Sequence, residues 1–175
     1  DQWAQIIAVL KDRGAVPLVD LAYQGFGDGL EQDAAATRAI ARAFPECLIA
    51  ASCSKNFAVY RDRVGAAFIL AASPAAADIA GAKLATIGRG MWSMPPDHGA
   101  AAVRIVLEDA SLRANWKTEL DAMRERIQML RANLASELTR LTNADFSFVT
   151  RQTGMFSCLP LTEGQAQRLR DTHGV

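Results

Sequence analysis

Apolar and polar positions fall into two regimes along the chain. Trp3, Ile6, Ile7 and Leu10 recur at helical spacing, and Gly14 stands where a helix stops. Residues 16–20 form a short apolar run that predicts a strand, and residues 23–29 a glycine-rich loop. Residues 31–44 are alanine-rich and end at Pro45, which predicts a helix. A second apolar strand is expected over 47–52, a polar segment over 54–63 and a third strand over 64–72, with Pro74 opening the next helix. Strand, helix and strand without a hairpin signal predict parallel strands joined by crossover helices. The strand runs are apolar throughout, as in a sheet covered on both faces.

After Pro95-Pro96 the pattern becomes mainly helical. Residues 97–108 read as one helix and residues 112–141 as a long one, with Leu120, Met123, Ile127, Leu130, Leu134 and Leu138 at spacings of three and four. Short strands are expected over 146–149 and 155–159, then a helix over 163–172. A domain change is placed inside the long helix near Asp121, which divides the chain into 1–120 and 121–175. There is no internal repeat and no low-complexity linker.

Composition narrows the function classes. Of 175 residues, 50% are hydrophobic and 22% charged, which is globular and not disordered. Nineteen basic residues balance nineteen acidic ones, so no net charge draws the chain to nucleic acid or an anionic membrane. The most apolar stretch, 64–82, contains Ser73, Pro74 and Asp78 and is a poor membrane span. The chain opens Asp1-Gln2-Trp3 without Met or a signal segment and stops at Thr172-His173-Gly174-Val175, so a piece of a longer protein is expected. Cys47, Cys53 and Cys158 lack any Cys-x-x-Cys pattern and read as free thiols of a reducing, cytoplasmic compartment. His98 and His173 are far apart, and no metal site is expected.

Candidate chemistry gathers at strand ends. Ser52-Cys53-Ser54-Lys55-Asn56-Phe57 lies just beyond an apolar strand, where open α/β sheets bind ligands. An amine held away from water there is easier to deprotonate and can attack an aldehyde. Ser52 and Ser54 offer hydroxyls to a phosphate, and Arg63, eight residues after Lys55, offers a planar fork that binds two oxygens. The plain alternative is a solvated loop lysine and a surface arginine. Asp20 ends the preceding strand and could hold a carboxylate against a pyridinium nitrogen, with Tyr23 close by as a phenol donor. Taken alone, Asp20 reads sooner as a turn or cap residue and Tyr23 as a packed aromatic. Gly25-Phe26-Gly27-Asp28-Gly29 puts Leu30 where a dinucleotide fingerprint needs its third glycine, and reads as a flexible turn. Arg89, before Gly90-Met91-Trp92-Ser93-Met94-Pro95-Pro96, suits a substrate carboxylate or, as readily, a helix C-terminus.

Taken together, Asp20-Leu21-Ala22-Tyr23-Gln24-Gly25-Phe26, Ser52-Cys53-Ser54-Lys55-Asn56-Phe57, Tyr60-Arg61-Asp62-Arg63-Val64-Gly65, Trp92-Ser93-Met94-Pro95-Pro96 and Gly154-Met155-Phe156-Ser157 resemble the aspartate and aromatic aminotransferases of the class I pyridoxal-phosphate family. The Ser-x-Ser-Lys-x7-Arg-Val-Gly core is its most specific part. The resemblance implies an α/β fold: the C-terminal part of the fold-type I large domain, a mostly parallel sheet with flanking helices, plus part of an α+β small domain. It implies pyridoxal phosphate as cofactor and amino acids and 2-keto acids as substrates. A homodimer is implied too, because family sites form at the subunit interface.

It also implies roles. Lys55 holds the cofactor as a Schiff base and moves the proton between Cα and the cofactor. Asp20 pairs with the ring nitrogen, Tyr23 with the phenolic oxygen, and Ser52 and Arg63 with the phosphate. Arg89 reaches the distal carboxylate of a substrate across the dimer. Ala58 stands where many members have Gly, a mild departure, and Met94 where aspartate-type members often have Asn, which leans the reading toward aromatic or dual specificity. The family's Asn-Pro-Thr-Gly stretch, upstream phosphate loop, ring-stacking aromatic and α-carboxylate arginine have no counterpart in these residues. The chain by itself is therefore expected to be inactive. Another fold-type I enzyme, a lyase or decarboxylase, and a non-catalytic fragment are the alternatives.

Overall fold

The computed structural model describes residues 2–175, so Asp1 lies outside the described residues. The elements run α1 (Gln2–Asp12), β1 (Leu18–Leu21), α2 (Leu30–Asp33), α3 (Ala35–Ala43), β2 (Cys47–Ser52), β3 (Gly65–Leu70), α4 (Pro74–Trp92), α5 (His98–Glu108), α6 (Ala110–Thr142), α7 (Ser147–Thr150) and α8 (Glu163–His173). They form two compact units, Asp1–Arg124 and Glu125–Val175, with the division inside α6.

In the first unit the sheet order is β1-β2-β3. β1 and β2 are parallel, with Asp20 beside Ala50 and Leu21 beside Ala51. β2 and β3 are antiparallel, with Ser52 opposite Gly65 and Cys47 opposite Leu70, which corrects the expectation of parallel pairing throughout. The reason is the connection: no helix lies between β2 and β3 to carry the chain back across the sheet, and a run of turns reverses it instead. α1 packs on α3, α3 on β2 and α4 on β3, around a core of Phe26, Ile40, Cys47, Val103 and Leu120.

The strands are less covered than their apolar runs predict. Leu18 is 69% exposed and Phe68 52%, so the described helices of this unit cover only part of the sheet. The helix expected over 31–44 is two pieces, α2 and α3, interrupted at Ala34. α4 begins as its sequence demands: Ser73 caps it by accepting from the Ala76 N–H at 3.2 Å, and Pro74 occupies the first turn, where a missing N–H costs nothing.

α6 spans 33 residues, roughly 50 Å at the helical rise. Its buried stripe agrees with the expected one at Leu120 and departs from it further along. Leu120, Arg131 and Ala135 are buried, while Met123, Leu130 and Leu134 are exposed. In the second unit Arg131 and Ala135 of α6 are buried together with Val149. The strand expected over 146–149 is the helical turn α7. Asp145 accepts the Ser147 N–H at 2.7 Å and Thr139 accepts the Phe146 N–H at 3.2 Å, which starts a turn. The strand expected over 155–159 is irregular: Cys158 pairs its N–H and carbonyl with the side-chain amide of Gln152, at 2.7 and 2.8 Å, in place of a neighbouring strand. α8 forms where a helix was expected, with a Thr162–Gln165 capping box at its start and a left-handed Gly174 at its end.

Candidate active site

The site is built at one edge of the sheet in the first unit. Parallel pairing brings the C-terminal ends of β1 and β2 to the same edge, so Asp20 and Ser52 lie there. Antiparallel pairing brings the start of β3 to that edge as well, and with it Arg63. Had β3 run parallel, its first residues would stand at the opposite edge. The strand direction that the sequence pattern missed is thus what brings Arg63 to the same edge as Lys55.

Beyond β2 the chain turns tightly through residues 54–57. Ser52 Oγ accepts the Ser54 N–H at 3.1 Å, and Ser54 is buried. Lys55 is half-buried, with Nζ 4.4 Å from the centre of the Tyr23 ring, a cation–π distance. Asn56 fixes that approach: its side-chain amide donates to the Gln24 carbonyl at 3.3 Å, which ties the Lys55 turn to the loop carrying Tyr23. Trp116 of α6 closes the turn from outside. Its indole N–H donates to the Asn56 carbonyl at 2.6 Å, and its ring stacks on Phe57 at 4.3 Å and 11°. Stacked rings contribute about 0.5–1.5 kcal/mol beyond their burial.

The glycine loop is organised by a residue that sequence reasoning passed over. Asp33 accepts the N–H groups of Gly25, Gly27 and Asp28 at 2.8, 2.9 and 2.8 Å. Gly25 needs its freedom twice over: its φ is 100°, and a Cβ there would sit 2.5 Å from Leu120 Cδ2. A carboxylate four residues past the last glycine of the loop was the available signal. Trp116, in the second turn of the long helix, gave none.

Arg63 is exposed and donates from Nη1 to the Tyr60 carbonyl at 3.1 Å. Its φ is 54°, in the left-handed region, which costs a residue with a side chain on the order of 1–3 kcal/mol. Asp20 is exposed within β1. Arg89 is exposed in the last turn of α4 and lines an open groove of about 490 Å³ with Thr86, Trp92, Ser93 and Pro95. Among the described residues, that groove shares no lining residue with the Lys55 cluster. The structure therefore brings Lys55 and Tyr23 into contact, sets Asp20, Ser52, Ser54 and Arg63 along the same edge, and places Arg89 in a groove of its own. Burial pushes the Cys53 thiol up, away from the thiolate range.

Residues 1–175 match the family of class I and II aminotransferases. The chain belongs to that family. It is 50% identical to the aromatic-amino-acid aminotransferase of Paracoccus denitrificans over 176 residues, covering all of this chain and 45% of that protein. It is 43% identical to the aspartate aminotransferase of Escherichia coli K12, covering 44% of it. An aromatic-amino-acid aminotransferase from Burkholderia pseudomallei, solved covalently bound to pyridoxal phosphate, superposes with a TM-score of 0.93 at 44% identity, over 99% of this chain and 44% of that one. The chain thus spans less than half the length of these relatives. The resemblance read from residues 52–65 holds, and the chain carries part of the fold-type I aminotransferase fold. Pyridoxal phosphate is the cofactor of this family. Among the described residues, no helix is long and apolar enough to cross a membrane.

Proposed function

We propose that the intact protein is a pyridoxal-phosphate-dependent aminotransferase that exchanges an amino group between an aromatic or dicarboxylic amino acid and a 2-keto acid. Lys55 is the cofactor-linking lysine. The carrying observation is the placement of Lys55 Nζ above Tyr23, on the sheet edge that also holds Asp20, Ser52 and Arg63, in a chain matched end to end by the aminotransferase family. The donor set suits the cofactor: an amine for its aldehyde, a carboxylate for its ring nitrogen, a phenol for its ring oxygen, and hydroxyls with a guanidinium for its phosphate.

When bound, the cofactor supplies an aldehyde that captures amines and a ring that accepts electrons from a bond broken at Cα. Lys55 provides the amine of the resting link and, once released by an incoming amine, moves a proton at Cα as general acid and base. Tyr23 lies under that amine and limits where it can swing. Asp20 holds negative charge at the strand end, Ser52 and Ser54 present hydroxyls and Arg63 a double donor. Arg89, with Trp92 beside it in the groove, takes a substrate carboxylate. Residues 1–120 belong on this reading to the cofactor-binding large domain and 121–175 to the small domain. The intact protein works as a cytoplasmic homodimer, and the 175 residues by themselves turn over no substrate.

The test is borohydride reduction of the intact protein after addition of pyridoxal phosphate, with peptide mapping. A pyridoxyl group on Lys55, absent in Lys55→Ala, is the expected result, with turnover of the variant down by about 10³-fold or more. An adduct elsewhere, or none, sinks the reading. Product analysis then separates transamination from its relatives: ammonia or carbon dioxide in place of a new 2-keto acid would assign a lyase or decarboxylase.

A further inference from the structure

We infer that His98 is a positioning residue for the cofactor's phosphate: through Asp62 it fixes the backbone on which Arg63 stands. The inference rests on the reading of this edge as a pyridoxal-phosphate site.

The left-handed backbone at Arg63 is held from both sides. On one side, Asp62 donates its N–H to the Val59 carbonyl at 3.2 Å, and its carboxylate lies 2.8 Å from His98 Nε2. An ionised carboxylate can only accept, so the ring nitrogen donates. On the other side, the Val64 carbonyl accepts the Cys53 N–H at 3.0 Å, which joins this loop to the turn that carries Lys55. The first turn of α5 sits against both flanking residues. A Cβ on Gly99 would lie 2.5 Å from Val64 Cγ2 and 2.7 Å from Asp62 Cβ, so only glycine permits this approach. His98 and Gly99 are thus adjacent parts of one clasp, one holding by a hydrogen bond and one by closeness. The clasp grips the residues before and after Arg63 and leaves its exposed guanidinium to the ligand.

A purely stabilising role fits the pair poorly. The His98 and Asp62 side chains are 68% and 36% exposed, and exposed pairs contribute little to global stability. Their effect is local, and it falls on a single left-handed residue whose side chain direction depends on that backbone.

The test measures the affinity of the intact protein for pyridoxal phosphate and for phosphate-free pyridoxal. In His98→Ala, pyridoxal phosphate should bind about tenfold more weakly, while pyridoxal stays within about twofold. His98→Gln, whose amide nitrogen reaches a similar distance, should recover most of the loss. Gly99→Ala, which displaces the same loop without touching a charge, should show the same selective loss. Equal weakening of both ligands, or of neither, overturns the inference while the site reading stands. If the unsubstituted protein binds the two ligands alike, the site reading fails and takes the inference with it.

Discussion

Arg63 and Arg131 show two ways of using the same side chain. Arg131, in the second unit, is 6% exposed. Its Nε donates to Ser157 Oγ at 3.0 Å, and its Nη2 donates to the carbonyls of Gly154 at 2.5 Å and Phe156 at 3.3 Å. No carboxylate is among these partners; backbone dipoles and a hydroxyl satisfy a buried cation. Arg63 is exposed, donates to one carbonyl, and sits on an unfavourable backbone. A guanidinium whose donors are engaged by its own chain fastens a fold. One held out on a constrained backbone is available to something else.

Arg131→Ala should break the comparison most visibly. It leaves the Gly154 and Phe156 carbonyls without that donor and opens a hole against α6. The expected loss is about 2–4 kcal/mol, read by urea unfolding of the intact protein. Arg63→Ala should do the reverse. Affinity for pyridoxal phosphate is expected to fall by about 10–100-fold, with an unfolding free energy within about 0.5 kcal/mol of the original. If Arg63→Ala unfolds the protein and Arg131→Ala does not, the two roles are assigned the wrong way round.

Trp116→Phe sharpens the picture at the Lys55 turn. It keeps an aromatic face for Phe57 and removes the hydrogen bond to the Asn56 carbonyl, so about 1 kcal/mol of stability should go, measured by thermal unfolding. The smallest effect belongs to Asp145. The Ser147 backbone N–H, then the Ser147 side chain and the Arg151 charge, hold its carboxyl below the ordinary carboxylate value. A group with a lowered folded value contributes above its unfolded value and loses that contribution as pH falls through the folded one. Asp145→Asn should therefore lower the unfolding midpoint slightly near neutral pH and leave no difference in acid. A difference that persists in acid would place the cause elsewhere.

Much of the first unit was legible because its signals are local. Pro45, Pro74 and the apolar runs locate the elements to within a few residues, and the spacing from Ser52 to Arg63 carries the family resemblance. Strand direction was not legible, since an apolar run reads the same both ways; the absence of a helix between β2 and β3 was the usable clue. The second unit was harder. Apolar spacing points α6 toward Leu130 and Leu134, while the buried positions are Arg131 and Ala135. Periodicity counts an arginine as polar and cannot see carbonyls arriving from residues 154 and 156 to receive it. The short apolar run at 146–149 fits a strand or a turn equally, and Asp145 settled it by a side-chain contact. Asp33 and Trp116 escaped notice, and His98 was weighed only as a metal ligand, for a similar reason: each meets backbone or a neighbour distant in sequence.

If Arg63 serves as proposed, its left-handed backbone sets stability and function against each other at one position. Glycine there would relax the chain by about 1 kcal/mol and forfeit the cation. A search for hardier variants that scored only melting temperature would therefore favour Arg63→Gly and, on the phosphate role proposed for Arg63, recover a sturdier protein that binds pyridoxal phosphate poorly. Any stabilisation campaign on this chain should fix residue 63 before it begins.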